Sequence, residues 1–174
     1  MNRKGMIIWA AAVCVVWSAG CGISAPKTPD GTPVELLLLV DDGIQDATEP
    51  PEQADRKTAA AWMGKDISQR FTEAGYAVRS AETPADFIPT PKVYLVVVTL
   101  DALKIKELYT EKETRLGDGV TSITATVELF KDNHTIPIMR YSETFLSSRD
   151  WTYSAGELDR KMSIEVSDRI NELY

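Results

Sequence analysis

Val93-Tyr94-Leu95-Val96-Val97-Val98-Thr99-Leu100 is the longest apolar run in the part of the chain that reads as folded, and it decides the fold. A strand in water on one face alternates apolar and polar residues, whereas one covered on both faces does not alternate. This run is therefore a central strand. Past it, Leu103 and Ile105 alternate with Lys104 and Lys106, so the strand continues with one face wet. Upstream, Val34 to Val40 is a second near-continuous run that stops at the turn Asp41-Asp42-Gly43. Downstream, after a loop over Thr110 to Gly119, Ser122 to Phe130 alternates cleanly, with Ile123, Ala125, Val127 and Leu129 facing a core. Ile136 to Leu146 is the last strand, and Pro137 near its start points to a sheet edge or a bulge.

Two helices complete the pattern. From Ala54 to Ala74 the residues Ala60, Met63, Ile67, Phe71 and Ala74 recur at intervals of three and four, with Gly75 as C-cap. Tyr76 to Arg79 then reads as a short strand and Thr83 to Pro91 as a Pro-punctuated loop. At the other end, Ser154-Ala155-Gly156-Glu157 has capping-box form, with Tyr153 and Leu158 spaced as a hydrophobic staple. Leu158, Met162, Val166, Ile170 and Leu173 line one face of the helix that follows. The order β-α-β-β-β-β-α predicts an α+β domain over residues 34–174. It implies a single mostly antiparallel sheet of four to five strands with both helices on one face.

The 174 residues, 44% hydrophobic and 26% charged, fit one globular domain. The formal net charge is −7 and no basic stripe is visible, so no nucleic acid is expected as a partner. The only cysteines, Cys14 and Cys21, lie in and just after the first apolar run, so the domain has no internal disulfide. The lone histidine, His134, falls in Lys131-Asp132-Asn133-His134-Thr135, a hairpin turn in which no nucleophile or orienting partner is apparent.

The first 20 residues carry the address. Arg3 and Lys4 precede an apolar run from Met6 to Trp17, too short for a bilayer core that needs about 20 residues, so residues 1–20 are a signal peptide. The run ends in Ser18-Ala19-Gly20-Cys21, which resembles a bacterial lipobox, with Ser18 where Leu is usual. That resemblance implies cleavage between Gly20 and Cys21 and a covalent lipid on Cys21, so the membrane itself is a partner through the anchor. Gly22, in place of Asp, implies by the same resemblance sorting to the periplasmic face of the outer membrane in a Gram-negative host. Residues 21–33 are rich in Ser, Thr, Pro and Gly and read as the lipidated Cys with a flexible tether.

The element order, with Arg115-Leu116-Gly117-Asp118-Gly119 before an alternating strand, resembles a group of small envelope lipoprotein domains. The group includes the amino-terminal domain of TolB, the curli-secretion lipoprotein, the penicillin-binding-protein activator lipoproteins and an uncharacterised lipoprotein family with a Gly-rich turn there. A second resemblance, carried by topology and by Phe145, Trp151 and Tyr153 near the last helix, is to the lipopolysaccharide-assembly lipoprotein LptE. Both imply a non-catalytic accessory or assembly factor of the envelope, without a cofactor beyond the lipid on Cys21 and with an envelope protein as partner.

Two site candidates follow from residue chemistry. Trp151 and Tyr153 offer an aromatic pair for partner contact, against the plainer reading of local packing. Asp41, Asp42 and Asp46, with Glu49 and Glu52 nearby, could gather oxygen ligands for a metal ion but lack EF-hand spacing, and a solvated acidic loop is the plainer reading. Binding of lipid, glycan or metal is the alternative function. An enzyme is not expected, because one sheet under two helices offers little cleft between paired carboxylates.

Overall fold

The computed structural model describes residues 23–44, 50–104 and 121–174. Gly20, Cys21, Asp46, Glu49, Ile105 and the glycine turn at 117–119 lie outside the described residues. The strands are β1 (Glu35–Asp41), β2 (Ala77–Ser80), β3 (Val93–Lys104), β4 (Thr121–Phe130) and β5 (Met139–Ser147). The helices are α1 (Pro50–Glu73), between β1 and β2, and α2 (Trp151–Asn171), after β5.

One sheet in the order β2-β1-β3-β4-β5 holds all five strands, and β3 lies at its centre as its unbroken apolar run requires. The antiparallel ladders β3–β4 and β4–β5 are the longer ones, while β1 pairs in parallel with both β2 and β3. Parallel neighbours need a crossover of a dozen or more residues. Helix α1 provides the first, and the stretch from Ala81 to Lys92, with a 3-10 turn at Pro84–Asp86, provides the second. Phe87 on that second crossover packs with Leu37, Leu95 and Phe130, covering the sheet face that the helices leave open.

Both helices pack on the opposite face. Ala59, Met63, Ile67 and Phe71 of α1 join Leu158, Met162, Val166 and Ile170 of α2 over Leu36, Tyr94, Val96, Val98, Ile123 and Val127. Helix α1 stops as expected at Gly75, whose φ of 98° suits glycine. The Tyr76 amide bonds back to the Phe71 carbonyl at 3.0 Å and the two rings meet edge to face at 5.4 Å, a Schellman stop with its apolar clasp.

The start of α2 differs from the expected capping box. Asp150 is the N-cap, its carboxylate accepting from the Tyr153 amide at 3.0 Å, and Ser154 is buried inside the helix. The helix begins earlier because Trp151 packs edge to face on Trp62 of α1, with ring centres 5.9 Å apart. The Tyr153/Leu158 staple is therefore absent. Strand β5 is an edge strand, as Pro137 suggested, and starts two residues after that proline.

Residues 23–33, expected as part of a flexible tether, lie against the domain instead. Ile23 and Ala25 pack on the main core, and the Ala25 amide bonds to the Ala74 carbonyl at 2.9 Å. The Ser24 carbonyl accepts from Ser167 and Asn171 of α2, each at 3.2 Å. Composition reads as linker here, but the Ala74 carbonyl at the end of α1 still needs a donor and Ser167 and Asn171 of α2 an acceptor, and this segment supplies both.

Polar groups tie the layers together. Arg56 of α1 is buried and donates to the carbonyls of Leu100 at 3.0 Å and Asp101 at 3.3 Å, at the β-bulge between Leu100 and Ala102, and to Gly43 at 3.4 Å. Its Nε reaches Glu52 at 3.2 Å. Between the helices, Asp159 is fully buried, and neither of its oxygens has a hydrogen-bond partner among the described residues. Burial first, and then the nearby Asp66 carboxylate, push its pKa up from 3.8 to about 9. Asp66 is itself held by Arg70 at 2.7 Å, and Arg70 reaches the Gly156 carbonyl at 3.3 Å.

Between pH 4 and 9 the folded chain therefore keeps a proton on Asp159 that the unfolded chain has released, so stability falls as pH rises through that window. The slope is at most about 1.4 kcal/mol per pH unit for one proton. Asp159→Asn, which keeps the shape without the charge, is expected to melt higher than the parent by a margin that widens from pH 5 to pH 8. Thermal melts of both proteins at the two values check this; a margin independent of pH would refute it.

Candidate functional site

Strand β1 runs further than β2, and this mismatch opens a groove near the acidic turn. Even-numbered residues of β1 face β2, as the bonds from the Ala77 amide to the Val34 carbonyl (2.9 Å) and from the Ala81 amide to the Leu38 carbonyl (2.8 Å) show. Odd-numbered ones face β3, as the Glu35 amide bonded to the Lys92 carbonyl shows. The next residue due a partner on the β2 side is Val40. Among the described residues nothing bonds its amide or carbonyl there.

Asp86 is the reason. Its carboxylate accepts the amides of Thr83 at 2.8 Å and Glu82 at 2.9 Å, so the chain peels away from β1 after Ala81. Those two bonds also hold the Asp86 pKa below its ordinary value.

The resulting groove, about 830 Å³, wraps round the open edge of β1. Leu39, Val40 and Val97 form its floor, Ala60, Ala61 and Gly64 of α1 one wall, and Ala81 to Pro84 the other. A Cβ on Gly64 would come within 3.3 Å of Val40 Cγ2, so glycine lets α1 approach the strand closely. Lys57 and Lys65 stand on the rim, and neither makes an ion pair or hydrogen bond among the described residues. Asp41, Asp42, Glu82, Ser68 and Ser80 also line it, so the groove offers both signs of charge and hydroxyls at its mouth over an apolar floor.

The acidic turn has work of its own. Asp41 accepts from the Gly43 amide at 2.9 Å and Asp42 from the Ile44 amide at 3.0 Å, closing two Asx turns. Gly43 is needed between them, since its φ is 62° and a Cβ would lie 2.3 Å from the Leu100 carbonyl oxygen. Among the described residues no three His, Cys, Asp or Glu side chains gather as a metal cluster.

Trp151 and Tyr153 turn to opposite sides of the first turn of α2. Trp151 is half-buried against Trp62 and the core, whereas Tyr153 is 38% exposed, with Phe145 at 6.2 Å and the Arg149 guanidinium 4.3 Å over its ring. They do not form one patch. His134 sits exposed in the β4–β5 turn, which Asn133 organises by accepting the amides of Thr135 and Ile136.

Sequence reasoning did not find the groove, because it arises from a length difference between strands that are far apart in the chain. The run of two turn formers at Thr83-Pro84 was its nearest signal.

No protein-family model and no curated protein sequence matches the chain. Among solved structures it is similar to PelC, seen as a dodecamer, from Paraburkholderia phytofirmans, at 17% identity over 80% of this chain and 91% of that one, with a TM-score of 0.48. It is also similar to the lipoprotein GNA1162 from Neisseria meningitidis, at 16% identity over 81% of this chain and 98% of that one, TM-score 0.43. A third is a neuraminyllactose-binding hemagglutinin homologue from Helicobacter pylori, at 13% identity over 86% and 87% of the two chains, TM-score 0.45. Likenesses this distant leave the functional reading to the residues of the chain itself.

If Asp86 ends the β2 ladder, Asp86→Ala should speed hydrogen exchange at the Glu82 and Thr83 amides while leaving the β3 and β4 amides protected. Unchanged exchange at those two positions would show that another group holds the turn.

Proposed function

We propose that the chain is a membrane-anchored envelope lipoprotein that acts as a non-catalytic accessory or assembly factor, holding an extended segment of a protein partner in the groove beside β1. Cleavage before Cys21 and acylation of its thiol place it on the periplasmic face of the outer membrane in a two-membraned host. The observation that carries the partner-binding role is the open edge at Val40 above an apolar floor, with two lysines that lack acidic partners among the described residues. An extended peptide fits such an edge because its own amides and carbonyls continue the ladder while alternate side chains enter the groove. The anchor adds to affinity by confining domain and partner to one surface, which raises their effective concentration.

Other features support the same reading. No helix among the described residues is long and apolar enough to cross a membrane, and the proposed attachment is the lipid on Cys21. The element order that resembles TolB amino-terminal and LptE-type domains agrees with an assembly role. The aliphatic floor of the groove brings no nucleophile and base together, and His134 stands at the other end of the sheet.

A photo-crosslinking residue in place of Ala61, exposed on the groove wall, is expected to capture one envelope protein in cells. The same residue in place of Glu165, on the outer side of α2, should not. Lys57→Glu/Lys65→Glu should cut the capture from position 61 severalfold with the fold intact. Equal capture from both positions, or a lipid or glycan recovered from the groove in place of a peptide, would overturn the peptide-binding reading. The anchor is checked by intact mass: the membrane-bound chain should begin at Cys21 and carry acyl chains, and Cys21→Ser should abolish both.

A further inference from the structure

The docked segment at residues 23–33 leaves almost no slack between the anchor and the domain. Ile23 packs on the core and Ser24 is bonded to α2, so only Gly22 separates Cys21 from a fixed residue. Two residues of chain span at most about 7 Å. An acylated Cys21 must therefore lie close to the end of the domain where Ser24, Ala25 and Ala74 meet.

Several elements meet at that end. It carries the end of α1 at Ala74 and Gly75, the end of α2 at Asn171, and the starts of β1 and β3. The end of β4 and the turn into β5 lie there too, since Leu95 of β3 pairs with Phe130. Three exposed apolar side chains share it: Ile136 (70%), Leu173 (37%) and Tyr174 (48%). Lys27, Lys92, Lys131 and Arg169 stand at this end among Asp30, Glu35, Glu73, Asp132 and Glu172, so it carries both signs of charge. Leu146 and Tyr153 are exposed at the other end, so apolar exposure alone does not choose between them. The position of the anchor does.

We infer that the domain stands end-on against the lipid surface, with the β4–β5 turn and the C-terminus of α2 touching the bilayer and the groove at the far end of β1 facing away from it. This rests on the acylation of Cys21 proposed above. Strand β1 climbs from Glu35 at the lipid end to Asp41 at the groove, about 20 Å at the rise of an extended strand. The partner is thereby met at a set height above the membrane, and not anywhere within the sweep of a loose tether.

The test uses the full lipidated protein in vesicles of phosphatidylethanolamine and phosphatidylglycerol. Cys14 leaves with the signal peptide and the Cys21 thiol is acylated, so an introduced cysteine is the only free thiol. A polarity-sensitive fluorophore is placed at Ile136→Cys, Leu173→Cys or Ser148→Cys, and spin-labelled phospholipid is the quencher. Labels at 136 and 173 should be quenched severalfold more than the label at 148. Ten Gly-Ser residues inserted between Gly22 and Ile23 should erase most of that difference. Equal quenching at all three positions in a chain whose mass shows acylation would overturn the orientation alone. An unacylated mass would overturn the anchor and the orientation together.

Discussion

Strand β3 is apolar on both faces, and a strand of that kind is stable only when both faces are covered. Every larger feature follows from this requirement. Its helix-side residues Tyr94, Val96, Val98 and Leu100 call for α1 and α2. Its other side, Leu95 with Val93 and Val97, calls for a second cover, which the crossover from β2 provides through Phe87. Because that crossover must pass over the sheet to deliver Phe87, β3 arrives parallel to β1 and not antiparallel to β2. The mixed sheet is thus a consequence of where apolar area had to be hidden. At about 25 cal/mol per Å² of apolar surface, covering two faces outweighs the slightly weaker pairing of parallel strands.

The polar groups inside this core divide into satisfied and unsatisfied ones, with different effects. Arg56 answers the carbonyls that the bulge in β3 leaves without a ladder partner, and it reaches the turn at Gly43 as well. A buried cation with several acceptors of this kind fixes geometry, because shifting any one element strands the charge. Asp159 does the opposite. Lacking partners, it holds its proton and makes the contact between α1 and α2 sensitive to pH, while Ser154 and Ser163 beside it are likewise buried without partners among the described residues. Helix α1 thus carries a polar clamp to the sheet in its N-terminal part and a pH-sensitive contact with α2 further along.

Much of the architecture was legible from periodicity. The unbroken runs at 34–40 and 93–100, the alternation at 122–130 and the helical spacing after Leu158 each act locally, and the strands and helices stand within a few residues of where those patterns put them. What could not be read depends on contacts between distant segments. The sequence pattern put the N-cap at Ser154, and Asp150 takes that place because Trp151 must reach Trp62. The Ser, Thr and Pro content of residues 23–33 describes a linker, yet the free carbonyls of Ala74 and the side chains of Ser167 and Asn171 capture it. The acidic turn read as a solvated loop, with a metal ligand set as the alternative, and the bonds of Asp41 and Asp42 to the amides two residues on were not legible in it. The groove was invisible for a related reason: Asp86 takes the amides of Thr83 and Glu82 within its own turn, but only the fold sets Ala81 beside Leu38 and so leaves Val40 uncovered.

The groove and the docked segment bear on one another through the direction of β1. Strand β1 starts beside the docked segment at residues 23–33 and ends away from it, and it is paired in parallel on both sides, so its two neighbours share that polarity. The C-terminal ends of β1 and β2 are therefore gathered at the end farthest from that segment, where backbone leaves the sheet and edges open. In sheets with parallel strands such ends are where crevices form. Here the crevice arises because a carboxylate ends β2 early, which requires only that one acidic residue, Asp86, sit three positions after the second amide it takes. The same parallel pairing that hides Leu37 and Leu95 under Phe87 thus also sets the groove at the opposite end of the sheet from the docked segment, the separation that the proposed anchoring and partner binding require.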